Sequence, residues 1–155
     1  MQEWREIVSH VWALGIAFAL AFPIGWDRER SERSAGVRTF PLVAMAACGF
    51  VLIAVRILGP DSIGQARVLE GLITGMGFIG GGAILKRESR TSGTATAASL
   101  WATGMVGAAV GYGLYDIAAI MAAATFATLR WMRSFKDQAR DAGAPGAPAL
   151  EQGER

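Results

Sequence analysis

Long stretches without charged side chains alternate with short charged ones along this chain of 155 residues. No Asp, Glu, Lys or Arg occurs in residues 7–26, 39–55 or 71–85, and residues 91–129 contain only Asp116. A helix that crosses a bilayer needs about 20 mostly apolar residues. The first three stretches therefore each predict one membrane helix.

The stretch over residues 91–129 is too long for one crossing. At about 1.5 Å per residue it would make a helix roughly 58 Å long, nearly twice the thickness of the hydrocarbon core. It predicts two helices that turn near residues 111–116. We therefore expect an all-α, polytopic membrane protein, a bundle of about five transmembrane helices, at residues 7–26, 39–57, 68–85, 95–113 and 116–132.

The basic residues predict the orientation, because Lys and Arg are enriched in short cytoplasmic loops. Five spans with the N-terminus outside place eleven basic residues in the cytoplasmic loops and in the segment just after the last span, and three outside. The cytoplasmic ones are Arg28, Arg30, Arg33, Arg38, Lys86, Arg87, Arg90, Arg130, Arg133, Lys136 and Arg140. The net charge of +2 then reflects topology, and we expect no nucleic acid partner.

The composition changes after Lys136, where Ala, Gly, Pro and charged residues dominate. Such a segment buries too little apolar surface to fold. We predict a transmembrane domain at residues 1–136 and a disordered cytoplasmic tail at 137–155. Cys48 is the only cysteine, which excludes an intramolecular disulfide and a cysteine metal site.

The glycines in "GMGFIGGG", residues 75–82, match the spacing of a dinucleotide-binding turn. That turn follows a strand and has an acidic residue about 20 positions later, whereas Leu100 stands there in this chain. A lone strand would also leave backbone groups unpaired in lipid. We therefore expect no bound nucleotide.

On a helix, the same glycines form small-residue surfaces that let two backbones approach closely. Gly71, Gly75 and Gly82 share one stripe, and Gly77 and Gly81 form a pair on another face. Gly107 and Gly111 continue a matching stripe on the fourth span. We predict that these seven glycines pack helices. The run Gly80 to Gly82 either packs only or also breaks the third span.

Polar groups near or within the spans are candidates for function, since they are costly at membrane depth. Asp27, Arg28 and Glu29 leave the first span, and Arg38 and Thr39 open the second. The guanidinium of Arg38 suits two phosphate oxygens. Asp27 and Glu29 offer carboxylates to magnesium, although two residues apart on a helix they face different ways, so a metal site stays open.

Two further groups complete the candidates. Glu70 begins the third span at its outer end. Thr96, Ser99 and Thr103 form a hydroxyl stripe on the fourth span. Such hydroxyls either bond to their own helix backbone or line a polar pathway. No nucleophile paired with a base is visible, so we expect neither enzymatic activity nor a cofactor.

Four motifs in order resemble the MgtC/SapB family of bacterial inner-membrane proteins. They read "GWDRE" at residues 25–29, "AGVRTFPLV" at 35–43, Arg67 followed by "GMGFIGGG" at 75–82, and "GTATAASLW" at 93–101. Asp27 stands where the family usually has Glu, and Ala95 where it has a hydrogen-bonding side chain. Arg67 joins the candidate residues through this resemblance.

The resemblance implies five membrane helices with a cytoplasmic C-terminus. It also implies roles in growth at low magnesium, in survival inside macrophages, and in control of phosphate or ATP synthesis. Longer members carry a soluble C-terminal domain after the last span.

Our leading hypothesis is a non-enzymatic inner-membrane protein that modulates magnesium, phosphate or ATP homeostasis. It would act through membrane lipid and other membrane proteins or further copies of itself. The alternative is a transporter or channel for magnesium or another small solute.

Overall fold

The structure is a computed structural model of the protein, and it describes residues 1–30, 35–87 and 90–142. Five helices are found in these residues, as the sequence predicts. They are α1 (Gln2–Glu29), α2 (Thr39–Leu58), α3 (Gly64–Gly82), α4 (Thr94–Gly111) and α5 (Tyr115–Ala142).

A short antiparallel hairpin joins α3 to α4, where the sequence predicted no strand. Strand β1 (Leu85–Arg87) pairs with β2 (Arg90–Ser92), and Leu85 lies opposite Ser92. Helix α3 ends at Gly82 rather than at residue 85. The physical reason is that each glycine of the run disfavours helix by about 1 kcal/mol relative to Ala, so the helix stops at the end of the run. Gly80 to Gly82 form its last turn, and the helix is continuous up to them.

Helix α5 extends beyond residue 136, where the sequence predicted a disordered tail to begin. Residues 137–142 include Gln, Ala and Arg, which are good helix formers. The rest of the predicted tail, residues 143–155, lies outside the described residues, as does Arg33 of the first basic loop.

Glycines in a left-handed conformation make two of the sharp connections. Gly93 has a φ of 93° and precedes α4, and a Cβ there would be 3.1 Å from the carbonyl carbon of Ala83. Gly113 has a φ of 75° and turns the chain from α4 into α5. Both need glycine, because L side chains rarely adopt such angles.

Helix α4 lies at the centre of the bundle and contacts all four other helices. A Cβ built on Gly107 would lie 2.7 Å from the carbonyl carbon of Ala44, and one built on Gly111 would lie 2.7 Å from Cβ of Val51. The backbones of α2 and α4 therefore meet directly, as expected of small residues at a helix interface.

These contacts also fix the directions of the helices. Ala44 lies against Gly107 and Val51 against Gly111, so α2 and α4 run parallel. Met76 of α3 lies against Gly104, and Gly80 against Ala97, so α3 runs antiparallel to α4.

Helices α1 and α2 are antiparallel, because Gly25 lies against Phe40 while Glu6 pairs with Arg56. The end of α1, the starts of α2 and α4, and the end of α3 consequently share one end of the bundle. We call this the Asp27 end.

Small side chains fill the interior, while many large apolar ones face outward. On α1 the buried stripe is Ala13, Ala17, Ala21 and Ile24. Trp4, Val8, Val11, Trp12, Phe18 and Phe22 of the same helix are exposed. An exposed apolar surface of this extent marks contact with a membrane or a partner. By length and composition, two of the helices described, α1 from Glu3 to Glu29 and α2, could cross a membrane.

We expect Gly107→Ala to lower the stability of the bundle. The added methyl would overlap the backbone of Ala44, and overpacking of a dense interface costs about 1–3 kcal/mol. Gly49→Ala is the matched control, since a Cβ at that helical glycine has no other atom within 4 Å. Thermal unfolding in detergent measures both variants, and equal midpoints would contradict the close approach of α2 and α4.

Candidate functional site

The polar candidates that the structure brings together lie at the Asp27 end. Gly25 makes this possible: a Cβ on it would be 3.1 Å from the carbonyl oxygen of Gly36 and 3.2 Å from Cβ of Phe40. The last turn of α1 therefore packs against the loop before α2 and against the first turn of α2. Asp27 and Arg28, which follow Gly25, are buried at this end of the bundle.

Asp27 and Arg28 form a buried ion pair. Nη2 of Arg28 donates to Oδ2 of Asp27 at 2.7 Å, and the two residues are only 5% and 4% exposed. Within the described part of the chain, Nε of Arg28 is buried without a hydrogen-bond acceptor. Buried charges are retained when they are paired, so this pair places two charges inside a largely apolar bundle.

Glu29 points away from this pair and is exposed. Its carboxylate oxygen Oε2 accepts a hydrogen bond from the backbone N–H of Val37 at 3.0 Å. The Glu29 carboxylate therefore holds the loop between α1 and α2 at Val37. Among the residues the structure describes, no group of three or more His, Cys, Asp or Glu side chains could hold a metal ion.

The hydroxyl stripe of α4 is buried and largely satisfied by its own helix. Thr96, Ser99 and Thr103 are at most 3% exposed. The Ser99 hydroxyl donates to the carbonyl of Thr96 at 2.9 Å, and the Thr103 hydroxyl donates to the carbonyl of Ser99 at 2.8 Å. Of the two sequence-based interpretations, the bonds of Ser99 and Thr103 match the one in which the hydroxyls bond to the helix backbone.

The buried ion pair lies at a level within the stripe, as the helix contacts show. Gly25 contacts Phe40, and α2 and α4 run side by side with Ala44 against Gly107. Phe40 is one turn before Ala44 on α2, and Thr103 is one turn before Gly107 on α4. Phe40 therefore lies near the level of Thr103. Asp27 and Arg28 lie about 3–5 Å further along, given a rise of 1.5 Å per residue, which is near the level of Ser99.

Arg67 and Glu70 are placed away from the Asp27 end. Both lie in the first half of α3 and are exposed. The backbone carbonyl of Glu70 accepts a hydrogen bond from the Thr74 hydroxyl at 2.9 Å. These two residues do not join the other candidates.

Near them lies a polar contact that the sequence reasoning missed. Gln65 is buried, its side-chain amide donates to the carbonyl of Gly59 at 2.8 Å, and its oxygen accepts from the Tyr112 hydroxyl at 2.9 Å. It ties the start of α3 to the end of α4. A search for charged residues overlooks it, because both partners are neutral.

Arg38 and Thr39 line a groove between α2 and α3 at the Asp27 end. Arg38 caps the N-terminus of α2 and is exposed, and Thr39 is half-buried. The groove has a volume of about 840 Å³, and its other lining residues are apolar or glycine. It is therefore an apolar surface with a positive charge at one end.

The predicted packing glycines fall into two sets. Gly107 and Gly111 lie against α2, as described above. A Cβ built on any of the α3 glycines Gly71, Gly75, Gly77, Gly81 or Gly82 would have no other atom within 4 Å. No other helix of the described chain therefore packs on these five glycines. Gly80 differs, because a Cβ built on it would lie 3.1 Å from the carbonyl oxygen of Ala97.

Together these features define an all-helical bundle with a small-residue interior, an apolar outer surface and a buried ion pair at one end. A model of the MgtC family matches residues 14–138, so this chain belongs to the MgtC family. The match covers all five helices except the beginning of α1 and the last residues of α5.

Several proteins are similar to this chain. SrpB of Synechococcus elongatus is 37% identical over 141 residues, which cover 79% of this chain and 76% of SrpB. MgtC of Brucella abortus is 37% identical over 117 residues, 76% of this chain and 48% of that protein.

YhiD of Escherichia coli K12, provisionally named a magnesium transporter, is 34% identical over 100 residues, 61% of this chain and 46% of YhiD. The chain thus spans about half the length of MgtC and YhiD. No solved structure matches it.

We expect Arg28→Met to destabilise the bundle by about 3–5 kcal/mol, because it removes a charged partner of the buried Asp27 carboxylate. Arg30→Met is the control at the next exposed arginine, which stacks 5.1 Å from the centre of the Trp26 ring; it should cost about 1 kcal/mol or less. Thermal unfolding of each purified variant compares them. The double variant Asp27→Leu/Arg28→Met should recover much of the loss, and a double variant that loses as much as the sum of both single ones would refute the pairing.

Proposed function

We propose that this chain is a multi-pass protein of the bacterial inner membrane that takes part in magnesium, phosphate or ATP homeostasis without catalysing a reaction. Its five helices cross the bilayer, with the N-terminus outside and the C-terminus in the cytoplasm. It acts through lateral contacts with other membrane proteins or with further copies of itself.

The surface and the helix lengths support the membrane placement. The large apolar side chains on the outside of α1 would face lipid. Helices α3 and α4 have 19 and 18 residues, which correspond to about 28 Å and 27 Å at 1.5 Å per residue. These lengths are close to the roughly 30 Å of the hydrocarbon core.

The relatives support the physiological role. YhiD carries a provisional name as a magnesium transporter, and the family that matches most of this chain takes its name from MgtC. A role in magnesium homeostasis is the simplest one that agrees with both. The chain spans about half the length of the Brucella MgtC. That it shares an activity with this longer protein is therefore proposed and does not follow from the match alone.

The contrast between the glycines of α4 and α3 carries the proposed mechanism. On α4, Gly104, Gly107 and Gly111 lie against Met76, Ala44 and Val51, so the centre of the bundle is closed by direct contacts. On α3, Gly77 and Gly81 are exposed and no atom lies within 4 Å of their Cβ positions. A pair of small residues four apart is the surface on which a second membrane helix packs.

We expect Gly77→Leu to abolish complementation of a low-magnesium growth defect in a strain that lacks its own family member. The added side chain would occupy the surface on which a partner helix packs, and its Cβ position has no contact with another helix of the described chain. Gly15→Leu is the matched control on α1, where the Cβ position is equally open. Membrane content of both variants is measured by immunoblot, and crosslinking followed by purification identifies lost partners. Full complementation by Gly77→Leu would contradict the proposal.

The second candidate function is transport of magnesium or another small solute. One observation favours it: the buried Asp27–Arg28 pair lies, by the rise of the helices, near the level of Ser99 within the buried hydroxyl stripe of α4. Polar groups at such depth are often parts of ion pathways.

Flux through the purified chain in phospholipid vesicles separates the two candidates. Under the leading proposal, magnesium entry measured with an enclosed dye should equal that of empty vesicles. Flux that Thr103→Val abolishes would instead establish the transporter. Thr128→Val is the control, because the exposed Thr128 hydroxyl makes the same bond to the carbonyl four residues earlier, at 2.8 Å.

A further inference from the structure

The groove between α2 and α3 is an open feature of the described bundle that the proposed function leaves unexplained. Its walls are apolar side chains and the open glycines Gly71 and Gly75. Its only polar lining residues are Arg38 and Thr39, which lie together at the Asp27 end. An apolar slot with charge at one end alone fits an amphiphile that has one charged head.

The length of the groove points to the kind of amphiphile. Along α2 the lining extends from Arg38 to Phe50, and along α3 from Ile79 to Val68. At 1.5 Å per residue these are about 18 Å and 17 Å, close to one leaflet, which is half of a hydrocarbon core of about 30 Å. A partner helix that crosses the membrane needs nearly twice this length, so the groove fits an acyl chain better than a helix.

The charge at the open end points to the head group. Arg38 is exposed at the N-terminus of α2, and the first turn of that helix contains no acidic residue. The positive end of the helix dipole and the guanidinium therefore both attract an anion to this end of the groove. A guanidinium can donate to two phosphate oxygens at once.

We propose that the α2–α3 groove holds one acyl chain of an anionic phospholipid, whose phosphate lies at Arg38. This rests on the proposed membrane placement, with the Asp27 end in the cytoplasmic leaflet. Lipid tails are as apolar as the groove walls, so burial of the chain by itself discriminates little. Selectivity comes from the head group, and phosphatidylglycerol is retained in preference to phosphatidylethanolamine.

Native mass spectrometry of the full chain, extracted from vesicles of equal parts phosphatidylglycerol and phosphatidylethanolamine, tests the proposal. We expect one retained phosphatidylglycerol per chain. Arg38→Gln should lower that retention about five-fold, the size expected of one basic contact near the membrane surface. Arg130→Gln is the matched control, since Arg130 is exposed on α5 outside the groove, and it should retain the lipid.

A second pair of variants tests the groove itself. Gly75→Leu fills the groove and should remove the bound lipid, whereas Gly49→Leu, at an open glycine of α2 outside the groove, should leave it. Equal retention of both phospholipids, or an equal effect of Arg38→Gln and Arg130→Gln, would overturn the proposal. Dissociation of an oligomer by Gly75→Leu without lipid loss would assign the groove to a second copy and also overturn it.

Two controls separate this proposal from its alternatives and from the proposed function. Inorganic phosphate that binds Arg38 equally well without lipid would identify a phosphate site instead and refute the lipid. Flotation of the chain with vesicles tests the membrane placement. A chain that floats but retains no lipid overturns only the groove proposal, and a chain that does not float overturns both.

Discussion

The close approach of α2 and α4 is the contact on which the rest of the bundle depends. At Gly107 the backbone of α4 lies against the backbone of Ala44, and at Gly111 it lies against the Val51 side chain and the carbonyl of Cys48. Neither glycine has a side chain that would hold α4 away from α2. Apolar side chains gain little from leaving lipid for a protein interior, and van der Waals packing must therefore hold membrane helices together. A bundle built on this principle has small residues inside and large ones outside, as α1 does.

Tight packing at the centre leaves little room for charged groups, and the buried charges lie instead at the Asp27 end. Gly25 lets α1 meet the start of α2 closely enough to cover Asp27 and Arg28. The charges are then fixed by each other and by the surrounding chain, while Glu29, two residues on, faces outward and holds the loop at Val37. One short motif thus combines an interior ion pair with an exterior loop contact.

The sequence predicts the number, order and approximate bounds of the helices well, because most of each helix coincides with a long stretch that has few or no charged side chains. It predicts the packing less well. Gly107 and Gly77 both belong to small-residue pairs four apart, yet Gly107 touches α2 and Gly77 touches nothing in the described chain. The spacing shows that one face of a helix has only small residues. Which helix packs on that face depends on how all five helices are arranged. Gln65 with Tyr112 shows the same limit, since the two are far apart in sequence and neutral.

The glycines of α4 and the glycines of α3 therefore have different roles in this protein. Those of α4 form the interior and would be fixed by folding, since any side chain there displaces α2 or Met76. Those of α3 cost helix stability, about 1 kcal/mol each relative to Ala, and no contact within the described chain offsets that cost. Five such residues on one helix are hard to explain by folding alone. The proposed contacts outside the chain, with lipid on the α2 side and with a membrane partner on the other, would account for the glycines of α3.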